Sequence, residues 1–231
     1  MRETLTAGLP ALHLNLNETQ LEQFERCCTL LLEKNKVMNL TAIREPKEVA
    51  TLHFLDSLAL LRAESFAGKR VIDVGCGAGF PGVPLKIAEP SIRLTLLDSL
   101  RKRVIWLRDE LLPALSLEAD CVAGRAEDYA ADHREAFDIA TSRAVARLNI
   151  LAELCLPLVR VGGCFLAMKG QDAEMEAAEA ADAIKRLGGS IERIETYPIG
   201  EALHRVVVIR KTAATPRQYP RAFAKIKKQP L

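Results

Sequence analysis

The six cysteines show no C-x-x-C spacing and no pairing with a histidine, which argues against zinc; no metal is expected. Cys27, Cys28, Cys76, Cys121, Cys155 and Cys164 read instead as small, reduced, mostly buried residues of a cytosolic chain. No apolar run approaches the roughly 20 residues that a membrane span needs. The N-terminus has no charged start followed by an apolar core. A soluble, cytoplasmic protein without a membrane partner is expected. No internal repeat is visible. Acid is missing from Thr212–Leu231, which carries Arg217, Arg221, Lys225, Lys227 and Lys228 although the whole chain has a net charge of only +2. The basic charge is therefore local. What remains is a chain of 231 residues with 49% hydrophobic content, enough for one α/β domain and a small extension, with disorder left to the ends.

The most informative stretch is Arg70–Ile87, RVIDVGCGAGFPGVPLKI, a short buried strand that runs into glycines and then into a helix start. Glycine reaches positive φ cheaply and lets backbone N–H groups approach a ligand, so the stretch reads as a cofactor cradle. Two registers compete. Residues 77–82 satisfy G-x-G-x-x-G, but the dinucleotide fingerprint puts its first glycine at the strand end, and here that glycine is Gly75. Counted from Gly75 the pattern is Asp-x-Gly-x-Gly-x-Gly, with Asp73 ahead of Gly75, Gly77 and Gly79. A carboxylate at the loop entrance suits a cation better than a pyrophosphate, which favours S-adenosylmethionine over NAD. A second acid is expected at the tip of the next strand, roughly 20 residues on, to accept from ribose hydroxyls. Asp98, followed by Ser99, stands there.

Before this stretch, Asn17 and Gln20 resemble a capping box for an amphipathic helix reaching about Lys36, and Pro46 opens a second helix with Val49, Ala50, Phe54, Leu58 and Leu61 on one side. These form a helical cap over 1–66. His53 and Asp56 share a face of the second helix; His53 either bonds Asp56 or a backbone carbonyl, or touches substrate. From 67 to 211 the chain alternates. Strands are expected at 70–74, 93–97, 119–123, 137–141, 164–168, 190–197 and 204–211, and helices at 82–88, 100–112, 127–132, 148–159 and 173–187. That pattern predicts a doubly wound, mostly parallel seven-stranded sheet whose last two strands, lacking a helix between them, pair antiparallel. Gly162-Gly163 and Gly188-Gly189 read as helix ends. Ligands in such sheets collect at the carboxyl ends of the strands, which draws in residues 124–128 and 141–144. Glu127 either pairs with Arg125 or contacts adenine beside Asp98. Arg143, after a buried strand, needs a partner: a site carboxylate, the cofactor or a phosphate. The basic tail, 212–231, together with Lys102 and Arg103, is either a phosphate-contacting surface or a solvated end.

Several of these segments resemble the RsmG/GidB family, the bacterial small-subunit ribosomal RNA guanine-N7 methyltransferases: Asn39-Leu40-Thr41, His53-Phe54-Leu55-Asp56-Ser57-Leu58, DVGCGAGFPGVPLKI, Leu97-Asp98-Ser99, Ala126-Glu127, Ser142-Arg143-Ala144-Val145-Ala146, Lys169-Gly170, and Tyr219-Pro220-Arg221 with Pro230-Leu231. The resemblance spans nearly the whole chain. It implies a Rossmann-like class I S-adenosylmethionine-dependent methyltransferase acting as a monomer on N7 of one guanine in the 530-loop region of 16S ribosomal RNA, free or in the small-subunit particle. It also implies cofactor contacts at Gly75, Phe80, Asp98, Ser99, Leu100, Ala126, Glu127 and Arg143. Guanine N7 carries a lone pair and no proton, so no general base is required, in keeping with the absence of a Ser/His/Asp or Cys/His constellation. Rate is expected to come from holding donor and acceptor together. Arg143 or Lys169 is the candidate donor to guanine O6, and the base must be unstacked to be reached. RNA contacts are expected at His53, Lys102, Arg103, Arg221 and Lys227. Neither the Asn-Pro-Pro-Tyr of amino methyltransferases nor the Pro-Cys of cytosine C5 enzymes occurs.

Overall fold

The computed structural model describes residues 1–143, 146–200 and 202–231. Ala144 and Val145, part of the segment expected to border the site, lie outside the described residues.

Seven strands, β1 (Arg70–Val74), β2 (Arg93–Asp98), β3 (Asp120–Ala123), β4 (Phe137–Arg143), β5 (Val159–Lys169), β6 (Gly189–Ile199) and β7 (Ala202–Lys211), form one sheet in the order β3-β2-β1-β4-β5-β7-β6. The first five are parallel to one another, and β7 runs antiparallel to both β5 and β6. The expected antiparallel pair is present, with an addition: β7 lies between β5 and β6, so the last strand is interior and β6 is the edge. Side chains explain the order. Val206, Val207, Val208 and Ile209 are all fully buried, which only a strand covered on both faces tolerates, whereas β6 carries Glu192, Arg193 and Glu195.

Helices cover both faces. On one lie α1 (Arg2–Gly8), α2 (Glu18–Met38), α3 (46–63), α4 (Gly82–Ala88) and α5 (101–114); on the other, α6 (Ala126–Asp132), α7 (Leu148–Cys155), α8 (Ala173–Arg186) and α9 (Phe223–Lys228). Alternate residues of β1 belong to the two layers: Val71 to the buried cluster that holds Leu5, Phe24 and Phe54 of the cap, and Ile72 to the one that holds Leu151 and Ile226. The capping box is formed, with Gln20 N–H donating to Asn17 Oδ1 and Asn17 N–H donating to Gln20 Oε1, both at 2.9 Å. In α3 the turns widen to π-helical geometry over Val49–Leu55. Among the described residues no helix is long and apolar enough to cross a membrane.

Three expectations are corrected. Gly162-Gly163 does not end a helix: α7 already stops in a tight turn at Leu156–Leu158, where Pro157 offers no N–H, and the glycines belong to β5. There Phe137 pairs with Val159 but Ile139 with Cys164, so the intervening residues bulge, and a Cβ on Gly163 would sit 2.4 Å from the carbonyl oxygen of Asp138. The ends are ordered, since α1 and α9 are helical. The tail is docked, with Ile226 fully buried.

Candidate active site

The loop after β1 is stitched to β2 by backbone. Gly75 and Cys76 N–H groups donate to the Leu97 carbonyl at 2.8 and 3.1 Å. Asp98, at the tip of β2, accepts from Gly77 N–H at 2.9 Å through Oδ2 and from Leu100 N–H at 2.8 Å through Oδ1. Each of its oxygens keeps a lone pair for a further donor. Gly77 and Gly79 adopt φ of 55° and 93°. Gly79 serves packing rather than ligand approach, because a Cβ there would meet Val83 Cγ2 at 2.7 Å.

Asp73 departs from its expected role. It is fully buried beneath the loop, where Oδ2 accepts from Gly82 N–H at 2.8 Å and Oδ1 has no partner among the described residues. Burial pushes its carboxyl up to about 7, so it presents no dependable charge to a ligand at neutral pH. The loop mouth carries Asp98 with Arg103 and Arg143 instead, and discrimination among cofactors by Asp73 does not survive.

Above the carboxyl ends of β1 and β2 opens a cavity of about 410 Å³, whose walls include Gly75, Gly77, Phe80, Asp98, Leu100 and Arg143. A narrower one of about 90 Å³ runs between Leu97, Ala126, Glu127, Leu154 and Phe223. Gly75, Asp98 and Ser99 line both, so the two meet at the carboxylate. The result is a two-lobed crevice with one polar end, an acid at its waist and a mostly apolar slot beyond. That sequence of environments fits the amino-acid, ribose and purine parts of S-adenosylmethionine. Ser99, Leu100, Ala126 and Glu127 thus gather where the sequence placed them.

Arg143, at the end of β4, forms the wall between the larger lobe and a third cavity of about 640 Å³ that also borders Met168, Lys169 and Glu176. Its guanidinium donates to the Leu52 carbonyl at 3.0 Å, to Asp56 Oδ2 at 3.4 Å and to His53 Nδ1 at 2.9 Å, and lies 5.0 Å from the centre of the Phe80 ring. An arginine only donates, so His53 Nδ1 is the acceptor and its Nε2 carries the hydrogen bonded to Thr41 Oγ1 at 2.8 Å. Burial, then the neighbouring Arg143 charge, lowers His53 to about 3, which keeps it neutral. His53 is stacked on Phe80 and buried, so it is a wall of the crevice rather than an RNA-facing side chain, and it does not bond Asp56. Asp56 accepts instead from His204 Nδ1 at 2.7 Å.

Lys169 does not reach freely into the site, because its ammonium donates to the Ala146 carbonyl at 2.6 Å and to Glu176 at 2.8 Å. Arg103 turns inward, 3.8 Å from Asp98, while Lys102 is exposed. Arg221 is not on a phosphate-facing surface: it is paired with Glu153, which is fully buried. Lys227 is exposed on α9. Sequence reasoning missed the role of Leu40 and Thr41, although the break in helical pattern at Asn39 marked the turn that brings them to the crevice. It also missed Leu154, His204, Glu176 and Phe223. For Phe223 the one available signal was Ile226 three residues on, an apolar pair among lysines.

The family described as rRNA small subunit methyltransferase G (GidB) matches residues 20–202 of the chain. Ribosomal RNA small subunit methyltransferase G of Pelotomaculum thermopropionicum is 47% identical over 237 residues, covering 100% of this chain and 99% of that protein. The protein of the same name from Alkaliphilus oremlandii is 45% identical over 236 residues, covering 100% and 99%. Among solved structures, TrmN from Thermus thermophilus superimposes with a TM-score of 0.53 at 20% identity, over 77% of this chain and 53% of that one, and shows a shared fold.

Proposed function

The chain belongs to the rRNA small subunit methyltransferase G family, is an S-adenosylmethionine-dependent methyltransferase of small-subunit ribosomal RNA, and on that premise we propose that it acts in the cytoplasm on N7 of one guanine in the 530-loop region of 16S RNA. The two-lobed crevice meeting at Asp98 is the observation that carries the assignment of the site. S-adenosylmethionine supplies a methyl group on a sulfonium, open to in-line attack. Asp98 would hold the ribose hydroxyls with its remaining lone pairs, Gly75 and Phe80 would border the methionine end, and Ala126 and Glu127 would border the purine.

The acceptor enters from the side of Arg143. Guanine N7 attacks with a lone pair and loses no proton, so His53, neutral and with Nδ1 occupied, fits a wall and not a base. Of the five N–H hydrogens of Arg143 three are engaged by Leu52, Asp56 and His53, which leaves two for guanine O6 and keeps N7 clear for the incoming methyl. Lys169, held by Glu176, supports that wall. Catalysis is positioning of two reactants at near-attack distance. The exposed Lys102 and Lys227 suit the phosphate path of the RNA.

The test is to label 16S RNA, free and in small-subunit particles, with tritiated cofactor, cleave chemically at 7-methylguanosine, and locate the break by reverse transcription. One stop in the 530-loop region is expected. Label resistant to that cleavage overturns the N7 assignment, and stops elsewhere overturn the site on the RNA.

A further inference from the structure

We infer that Phe223, in the tail, is a further cofactor-binding residue that closes the purine slot, and that the buried Glu153–Arg221 pair positions it; this rests on the cofactor reading of the crevice. Phe223 lines the narrow cavity together with Leu97 and Ala126. The Arg125 guanidinium, which also lines the slot, lies 5.3 Å from the centre of its ring and helps to hold the ring there. The slot is mostly apolar, and a flat, uncharged heteroaromatic ring is the ligand such walls take.

The tail is held for this purpose at several points. Glu153 on α7 is fully buried, and its Oε1 accepts from Arg221 N–H at 2.9 Å and Nε at 2.8 Å, while Oε2 accepts from a terminal guanidinium nitrogen at 2.6 Å. The next residue, Leu154, lines the slot itself. Arg134 donates to the carbonyls of Thr215 at 2.7 Å and Tyr219 at 2.6 Å, and Ile226 is fully buried on the far side of Phe223 in sequence. A flexible arm for phosphates requires none of these anchors. A wall requires all of them, because an aromatic ring stacks on a ligand only if its backbone is fixed.

Calorimetry with S-adenosylhomocysteine on the full chain tests the inference. Phe223→Ala is expected to raise the cofactor Kd about tenfold, the loss typical of removing one aromatic stacking partner, with RNA affinity unchanged, while Phe223→Tyr stays close to wild type. Arg221→Ala is expected to raise the KM for the methyl donor with little change in kcat at saturating donor. A cofactor Kd for Phe223→Ala within about threefold of wild type, or an equal loss of RNA affinity, overturns the inference. Failure of the wild-type chain to bind the cofactor sinks the reading of the crevice instead, so the two failures are distinguishable.

Discussion

The two walls of the crevice are built differently. The cap-side wall is polar and continuous, running Thr41–His53–Arg143–Asp56–His204 through hydrogen bonds that join a loop, a helix and two strands. The tail-side wall is apolar at the ligand face, with its charges hidden behind it as Glu153 and Arg221. Both rest on one buried carboxylate met by an arginine. The difference is where the arginine ends: Arg143 borders the crevice with hydrogens to spare, whereas Arg221 spends its bonds on Glu153. A guanidinium at the surface of a site serves recognition, and one sunk behind it serves shape.

The strongest way to break the comparison is Arg221→Ala. It leaves Glu153 at zero exposure with one backbone N–H and no counter-charge, and is expected to cost about 3–5 kcal/mol in urea unfolding, most of it recovered in the double variant Glu153→Leu with Arg221→Met. A loss below about 1 kcal/mol would show that the pair does not pin the tail. Arg143→Ala should cost less in folding, since Asp56 keeps His204, but should lower the single-turnover methyl transfer rate about 10²–10³-fold. Equal stability losses in the two variants would erase the distinction between the walls. Under both walls lies Asp73. Its folded carboxyl is raised to about 7, so between about pH 4 and 7 the folded state keeps a proton that the unfolded state has lost, and stability falls as pH rises through that window. Asp73→Asn should therefore match wild type at pH 4 and exceed it at pH 8 by roughly 2–4 kcal/mol, read from urea midpoints. A parallel pH dependence in variant and wild type would refute this. The smallest effect is expected from Lys227→Ala, which should weaken RNA binding a few-fold and reduce the salt slope by about one, measured by filter binding across ionic strength.

The legible parts of the fold were those fixed by local pattern. β1 and α4 fall on the expected residues because an apolar run bounded by glycines, and a helix opening beside proline, leave little choice. Asp98 followed from its place at a strand tip. What stayed hidden depends on depth or on distant partners. The sequence orders Asp73 before the glycines but does not show that it lies under them. Asp56 finds His204 148 residues away, and Arg221 finds Glu153 68 residues back, so neither pair leaves a spacing to read. The tail's lysines left it as either a phosphate-contacting surface or a solvated end, and only the burial of Ile226 shows that one face is claimed by the core.

The position of β7 has a consequence for how the chain assembles. The strand that fills the gap between β5 and β6 is made after both of them, so until it threads in, β5 presents an open row of amide and carbonyl groups. A nascent chain paused there carries a sticky, half-finished sheet whose pairing is non-local and slow to form. The sheet is complete only when the strand made last has found its place between two made before it.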